Sequence, residues 1–312
     1  MSVQFQHKKD IVEIGRRLYQ KGFVASHDGN ISIRIGAAEI LATPAGVCKG
    51  FLGSEDVVLV DTQGRKVAGK GEPSSELKMH LLVYQRRPDV KAVVHAHPPV
   101  STGFAVAGIP LAQCILPEVV VSLGAVPVAA YGTPSTHEVC DAIAPYVEKS
   151  EAFLLANHGV VTLGENVFQA YYRMETVEHF AGILLTARLL GNVNVLSREQ
   201  VEKLIEVRRT AGVQGKFPDC ESCGYCSEDS KNAARAVRDT FSLRLSKAGD
   251  VAAAGIDSPG STGVGPGGAA PSGTVGGSSA GPDAPTEPAS PPEDKELIKL
   301  ITSVIREMTH GK

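Results

Sequence analysis

The chain has 312 residues with 31 basic against 34 acidic side chains, and a formal charge of −3 leaves no footprint for nucleic acid or an anionic membrane as the main partner. Its 43% hydrophobic content suits an ordinary globular protein, and no apolar run approaches the ~20 residues that span a bilayer. The first residues lack the apolar core of a secretory signal, so the six cysteines are expected to be reduced thiols of a cytoplasmic protein.

In chain order, Ile11, Ile14 and Leu18 stand at helical spacing before Gly22 and predict an amphipathic helix over 10–21. Ile31, Ile33 and Ile35 alternate with Ser32 and Arg34 and predict a strand over 30–35. Residues 39–43 and 57–61 predict two more strands, and 75–85 a helix with Ser74 or Ser75 as its N-cap. Short strands follow at 91–94, 126–130 and 153–156, then a long proline-free helix over 167–190. Strands and helices interleaved in this way predict a layered α/β domain spanning 1–215.

Three further regimes follow. Residues 216–247 form an extension carrying Cys220, Cys223 and Cys226, a spacing that suits a metal, a redox-active loop or a structural one. Residues 248–292 are mostly Gly, Pro, Ala and Ser, cannot bury enough apolar surface to order themselves, and are expected to be a disordered linker. In 293–312, Leu297, Leu300, Ile301, Val304, Ile305 and Met308 make one apolar stripe at helical spacing.

The chemistry concentrates in a few short runs. In Val93-Val94-His95-Ala96-His97-Pro98 the two imidazoles stand at i and i+2 of a strand, on one face, as a divalent metal requires. Two surface histidines on an edge strand are the alternative. His158, in Leu155-Ala156-Asn157-His158-Gly159-Val160, stands where an apolar strand ends and a glycine lets the chain turn, a candidate third ligand or a buried histidine bonded to backbone. In Gly71-Glu72-Pro73-Ser74-Ser75-Glu76, two serines at a helix start offer hydroxyls and amides to an anion, with Glu76 in the first turn; a plain N-cap is the alternative. His27-Asp28-Gly29-Asn30-Ile31-Ser32 and Thr43-Pro44-Ala45-Gly46 fit small-residue nests for phosphate, although such residues also dominate ordinary turns.

Taken together and in order, Gly29-Asn30-x-Ser32, Thr43-Pro44-Ala45-Gly46, Pro73-Ser74-Ser75-Glu76, His95-Ala96-His97 and Asn157-His158-Gly159 resemble the class II aldolase/adducin family, and within it the L-fuculose-phosphate aldolases. The likeness runs from about residue 8 to residue 208. It implies a three-layer α/β/α sandwich on a largely antiparallel sheet, assembled as a homotetramer with active sites at subunit boundaries. It further implies one Zn2+ per subunit on His95, His97 and His158, with Glu76 as acid/base. Gly29, Asn30, Thr43, Gly46, Ser74 and Ser75 would surround the phosphate of a small sugar. The implied reaction cleaves L-fuculose 1-phosphate, or L-rhamnulose 1-phosphate, to dihydroxyacetone phosphate and L-lactaldehyde.

One departure bears on that reaction. Where those aldolases carry a tyrosine for the proton on the aldehyde-side oxygen, this sequence reads Ile115-Leu116-Pro117-Glu118-Val119-Val120. Glu118 or Tyr131 is then expected to take the proton role, with a strand-edge salt bridge as the alternative for Glu118. The departure keeps open an L-ribulose-5-phosphate 4-epimerase and a 5-methylthioribulose-1-phosphate aldolase or dehydratase. The non-enzyme alternative is an adducin-like binding protein, against which the three histidines and Glu76 argue. Linker plus terminal helix resembles the encapsulation peptides of bacterial microcompartments, which implies shell or cargo partners and a place in the lumen; docking onto its own tetramer is the alternative.

Overall fold

A computed structural model describes residues 3–213, 215 and 216. The three clustered cysteines, the linker and the terminal apolar stripe lie outside the described residues. The first half of the described chain contains α1 (Val3–Gln20), β1 (Asn30–Arg34), β2 (Ile40–Ala42), a 3-10 turn (Lys49–Phe51), β3 (Val58–Val60), β4 (Lys66–Ala68), α2 (Leu77–Arg86) and β5 (Ala92–Ala96). The second half contains α3 (Pro99–Val106), α4 (Pro117–Ser122), β6 (Val128–Ala129), α5 (His137–Val147), β7 (Ala152–Leu155), β8 (Gly159–Gly164), α6 (Val167–Leu189) and α7 (Arg198–Thr210).

The strands form a single sheet in the order β4-β3-β2-β1-β5-β8-β7-β6. Every neighbouring pair is antiparallel except β6 with β7, whose connection crosses over through α5, as parallel neighbours require. Helices cover both faces, which is why β5 is buried along its whole length instead of alternating buried and exposed. On one face, Ile31, Ile33, Val94 and Ala96 pack with Ile11 and Leu18 of α1, Phe104 of α3 and Met174, Val177 and Phe180 of α6. On the other, Val58, Val60, Val93, Val161 and Leu163 pack with Leu77, Met79 and Val83 of α2 and Val139, Ile143 and Val147 of α5. The result is the expected three-layer α/β/α sandwich on a largely antiparallel sheet.

Some boundaries differ from expectation for identifiable reasons. Helix α1 starts at Val3, ahead of residue 10, and its polar first turns are supported by a Gln6–Asp10 side-chain hydrogen bond. Helix α2 starts at Leu77, so Glu76 stands at the cap position and neither serine caps the helix. The Ser74 hydroxyl instead accepts from the Glu76 amide, and the Ser74 carbonyl accepts from the Leu77 amide, a tight turn before the helix proper. Residues 117–122 are helix α4, so Glu118 is on a helix and not on a strand edge; Pro117 at the first helical position sets this start.

Candidate active site

The β5 strand ends at Ala96, and the His97 amide is held by the Phe23 carbonyl at 2.8 Å, so both imidazoles stand at the strand's carboxyl end. Beside them, the three-residue connection from β7 to β8 presents His158. Asn157 makes that turn in the left-handed region at φ 57°, and the His158 amide closes it on the Leu155 carbonyl at 3.0 Å. Gly159 was expected to supply the conformational freedom, but its role is room: a Cβ there would lie 2.5 Å from His97 Cδ2 and 2.6 Å from the Ala96 carbonyl oxygen.

The three rings converge, with centroids 4.9 Å apart for His95–His97, 4.7 Å for His95–His158 and 5.0 Å for His97–His158. One ligand nitrogen from each lies within 4.8 Å of the others. His95 Nδ1 faces the Val160 carbonyl at 2.9 Å, which fixes the proton there and leaves Nε2 bare. That Nε2 lies 3.1 Å from His97 Nε2, close to the roughly 3.3 Å that separates two imidazole nitrogens bound to one tetrahedral zinc. Asp28 lies 3.6 Å from His97 Nδ1, a carboxylate–histidine arrangement that orients the ring toward the centre. Burial pulls the His95 imidazole down to about 3, and burial together with His158 lowers that of His97, so both are neutral as metal ligands must be. The donor set therefore fits a divalent metal with His95, His97 and His158 as its protein ligands.

Glu76 faces the same point. Its Oε1 lies 3.2 Å from His158 Nε2, its Oε2 lies 3.5 Å from His95 Nε2, and Asn30 Nδ2 donates to Oε2 at 2.8 Å. Burial pushes its carboxyl up, but positive charge at the His95 and His158 positions, as protonation there would supply, and the Asn30 hydrogen bond outweigh burial and hold it well below the usual carboxylate range. The carboxylate is held ionised beside His95 and His158.

Three loops border this centre. Gly29 and Gly46 are both left-handed at φ 69°; the Gly46 Cα faces open space, and a Cβ on Gly29 would lie 2.8 Å from the His95 carbonyl oxygen. Thr43 is fully buried, its hydroxyl accepting from the Ile31 amide and its carbonyl from the Ser74 amide, so it stitches loops together instead of presenting a free side chain. Ser75 is exposed and receives a 2.8 Å hydrogen bond from the Ser135 hydroxyl, on a residue held at φ 67°. Glu118 and Tyr131 are both exposed, and neither is paired with the histidine centre within the described residues. Asp28 stood in the run read as a phosphate nest, but its place beside His97 was not foreseen, and Ser135 escaped the sequence reading because nothing local marked it.

This geometry coincides with a family match. Residues 9–185 fit the model of the class II aldolase and adducin N-terminal domain. The chain belongs to that family. A 3-oxo-tetronate 4-phosphate decarboxylase of Pectobacterium atrosepticum is 31% identical over 210 residues, 65% of this chain and 94% of the relative. An L-fuculose phosphate aldolase of Methanococcus maripaludis is 36% identical over 172 residues, 55% of this chain and 92% of the relative. Among solved structures, an L-fuculose 1-phosphate aldolase superposes with a TM-score of 0.62 at 31% identity, covering 67% of this chain and 98% of the other. This class II aldolase-family protein is accordingly an enzyme of lyase type. Among its described residues no helix is long and apolar enough to cross a membrane.

Proposed function

We propose that the protein is a zinc-dependent aldolase that cleaves L-fuculose 1-phosphate, and L-rhamnulose 1-phosphate as a second ketose, to dihydroxyacetone phosphate and L-lactaldehyde. The observation that carries this reading is the convergence of His95, His97 and His158 on the Glu76 carboxylate, directly after two serines that precede a helix. Bound zinc supplies the Lewis acidity for the negative charge left on the dihydroxyacetone half when C3–C4 breaks. Ser74 and Ser75, with Asn30 and the amides around Gly29 and Gly46, hold the phosphate and fix the carbon chain. Thr43 serves this cradle through its backbone.

Glu76 carries the proton to carbon. Its ionised state belongs to the resting arrangement; substrate entry separates it from the histidine nitrogens, its pKa rises, and it can then take up and deliver a proton. Glu118 and Tyr131 are surface residues of the single chain, and we assign them the aldehyde-side proton only across a subunit boundary of a homotetramer.

A second reading has its own support. The decarboxylase relative matches over more of this chain than the Methanococcus maripaludis aldolase does, and residues 115–120 lack a tyrosine. Loss of carbon dioxide from a 3-oxo acid needs no proton on an aldehyde-side oxygen, yet leaves the same charge and the same dihydroxyacetone phosphate after protonation. Supplying each substrate to zinc-loaded protein separates the two. Chelator-sensitive lactaldehyde release from L-fuculose 1-phosphate is expected; carbon dioxide release from 3-oxo-tetronate 4-phosphate without lactaldehyde formation would replace the aldolase with the decarboxylase.

Residues 293–312 we read as an encapsulation segment that brings the enzyme into a bacterial microcompartment, on the pattern of Leu297, Leu300, Ile301, Val304, Ile305 and Met308. Fused to a fluorescent reporter in a shell-forming host, it should give punctate fluorescence; a diffuse signal beside intact shells would refute it.

A further inference from the structure

Among the described residues Lys49 is the only lysine in the buried class, at 2% exposure. The buried arginines Arg87 and Arg173 share Glu151 as counter-ion at 2.8 and 2.7 Å. Lys49 has no such partner: its Nζ donates to the His27 carbonyl at 2.9 Å and the Val47 carbonyl at 2.7 Å, and no described carboxylate lies within 4.0 Å of it. Two carbonyl oxygens satisfy hydrogen-bond donors but leave the charge unneutralised, an expensive arrangement unless an anion arrives to use it.

The two carbonyls have meaningful positions. His27 opens the loop that carries Asp28, Gly29 and Asn30, while Val47 closes the loop that carries Thr43 and Gly46. Burial lowers the Lys49 pKa, and Asp28 and Glu76, the carboxylates whose charge opposes that fall, are already committed to His97 and to His95 and His158. A cation thus stands at the junction of two glycine-bearing loops with no internal counter-ion.

We propose that Lys49 is a specificity-determining positioning residue: its ammonium draws the 27–30 and 43–47 loops into one cradle and supplies the positive charge by which that cradle selects a phosphate dianion. This inference rests on the sugar-phosphate reading above. It holds whichever group, aldehyde or carbon dioxide, leaves the other end of the substrate.

The test is binding of inorganic phosphate to the full chain by equilibrium dialysis, in zinc-supplemented and in chelated protein, because zinc itself can capture phosphate. Wild type is compared with Lys49→Met, Lys49→Gln and Lys49→Arg, with circular dichroism and zinc content as controls on folding. Loss of a charge-assisted interaction predicts phosphate binding weakened about 10- to 100-fold in both neutral variants, with one zinc retained and partial rescue in Lys49→Arg. In turnover the same loss should raise KM more than it lowers kcat. Unchanged phosphate affinity in a folded neutral variant overturns the proposal, and so does failure of both neutral variants to fold, which would make Lys49 purely structural. Wild-type protein that binds no phosphate overturns the sugar-phosphate reading itself, a result seen in the wild-type arm before any variant is compared.

Discussion

Asn30 Nδ2 donates to Glu76 Oε2 at 2.8 Å, and this bond crosses from the sheet to the helix layer that covers it. It is the active-site end of a polar seam between β1 and α2. Asn30, Ser32 and Arg34 recur every two residues along the strand; Glu76, His80 and Tyr84 recur every four along the helix. Two strand residues rise about 6.7 Å and four helical ones about 6 Å, so the two rows stay in step. Ser32 Oγ lies 2.7 Å from both His80 Nδ1 and Tyr84 Oη, and Arg34 donates to the Tyr84 carbonyl at 2.9 Å while its guanidinium stands 5.0 Å from that ring. The seam sets the register of α2 on the sheet and so aims Glu76 at the histidines.

Metal binding and proton transfer should separate by mutation. His97→Ala removes one of three ligands and should leave well under one zinc per chain by elemental analysis, with activity lost. Glu76→Gln keeps the shape and should retain zinc while kcat falls about 10²- to 10⁴-fold, the usual contribution of a positioned acid or base. A Glu76→Gln protein with near wild-type kcat would remove that residue from the chemistry.

Gly159→Ala should damage the same centre without replacing a ligand. Its new methyl would meet the Ala96 carbonyl oxygen at 2.6 Å and the His97 ring at 2.5 Å. Backbone cannot yield as a flexible side chain does, so overpacking should cost about 1–3 kcal/mol and weaken zinc affinity. Urea unfolding and competitive chelation would measure both, and an unchanged zinc affinity would show that the rings accommodate the methyl.

His80 should make stability depend on pH. Burial pulls its imidazole from the usual 6.5 down to about 4, so between those values the unfolded chain holds more protons than the folded one. Stability is then full above pH 6.5 and is lost as pH falls toward 4. The His80 share of the loss between pH 7.5 and pH 5 should be about 2 kcal/mol. Comparing urea midpoints of wild type and His80→Leu at both pH values isolates it, because His95 titrates in both proteins. Parallel pH profiles would show that His80 contributes nothing to the slope.

Glu178 should support His97 from a distance. This α6 carboxylate accepts from the Val100 amide at 2.8 Å, the Ser101 amide at 2.8 Å and the Ser101 hydroxyl at 2.7 Å, capping the helix that starts just after His97-Pro98. Glu178→Ala leaves these donors unpaired and should cost about 1–3 kcal/mol by urea unfolding, with weakened zinc affinity. Glu178→Gln should recover part of both. Zinc affinity unchanged in Glu178→Ala would confine the cap to a structural role.

Much of the sheet was legible because its inner strands announce themselves by alternation, as in Ile31, Ile33 and Ile35, or by short apolar runs such as Ala152–Leu155. Several elements escaped, helices α3, α5 and α7 among them. Strand β4 is exposed along its length and has no apolar face to read. Helix α4 is six residues of Pro-Glu-Val-Val-Val-Ser, whose β-branched run favours a strand locally. Strand β8 begins with the glycine that belonged to the histidine motif and was absorbed into it.

By itself the sequence determined the donor chemistry: three histidines, one glutamate and two serines, in an order specific enough to name the family. Strand periodicity also placed His95 and His97 on one side, since alternation is a local property of the backbone. Only the tertiary structure decided what those groups do to one another. It brought the ring of His158, in the turn between β7 and β8, to a centroid distance of 5.0 Å from that of His97, carried Asn30 to Glu76 across the seam, and buried Lys49 between two loops without a counter-ion. Those relationships join residues far apart in the chain, and their electrostatics come from burial and close approach, which no local pattern of residue types contains.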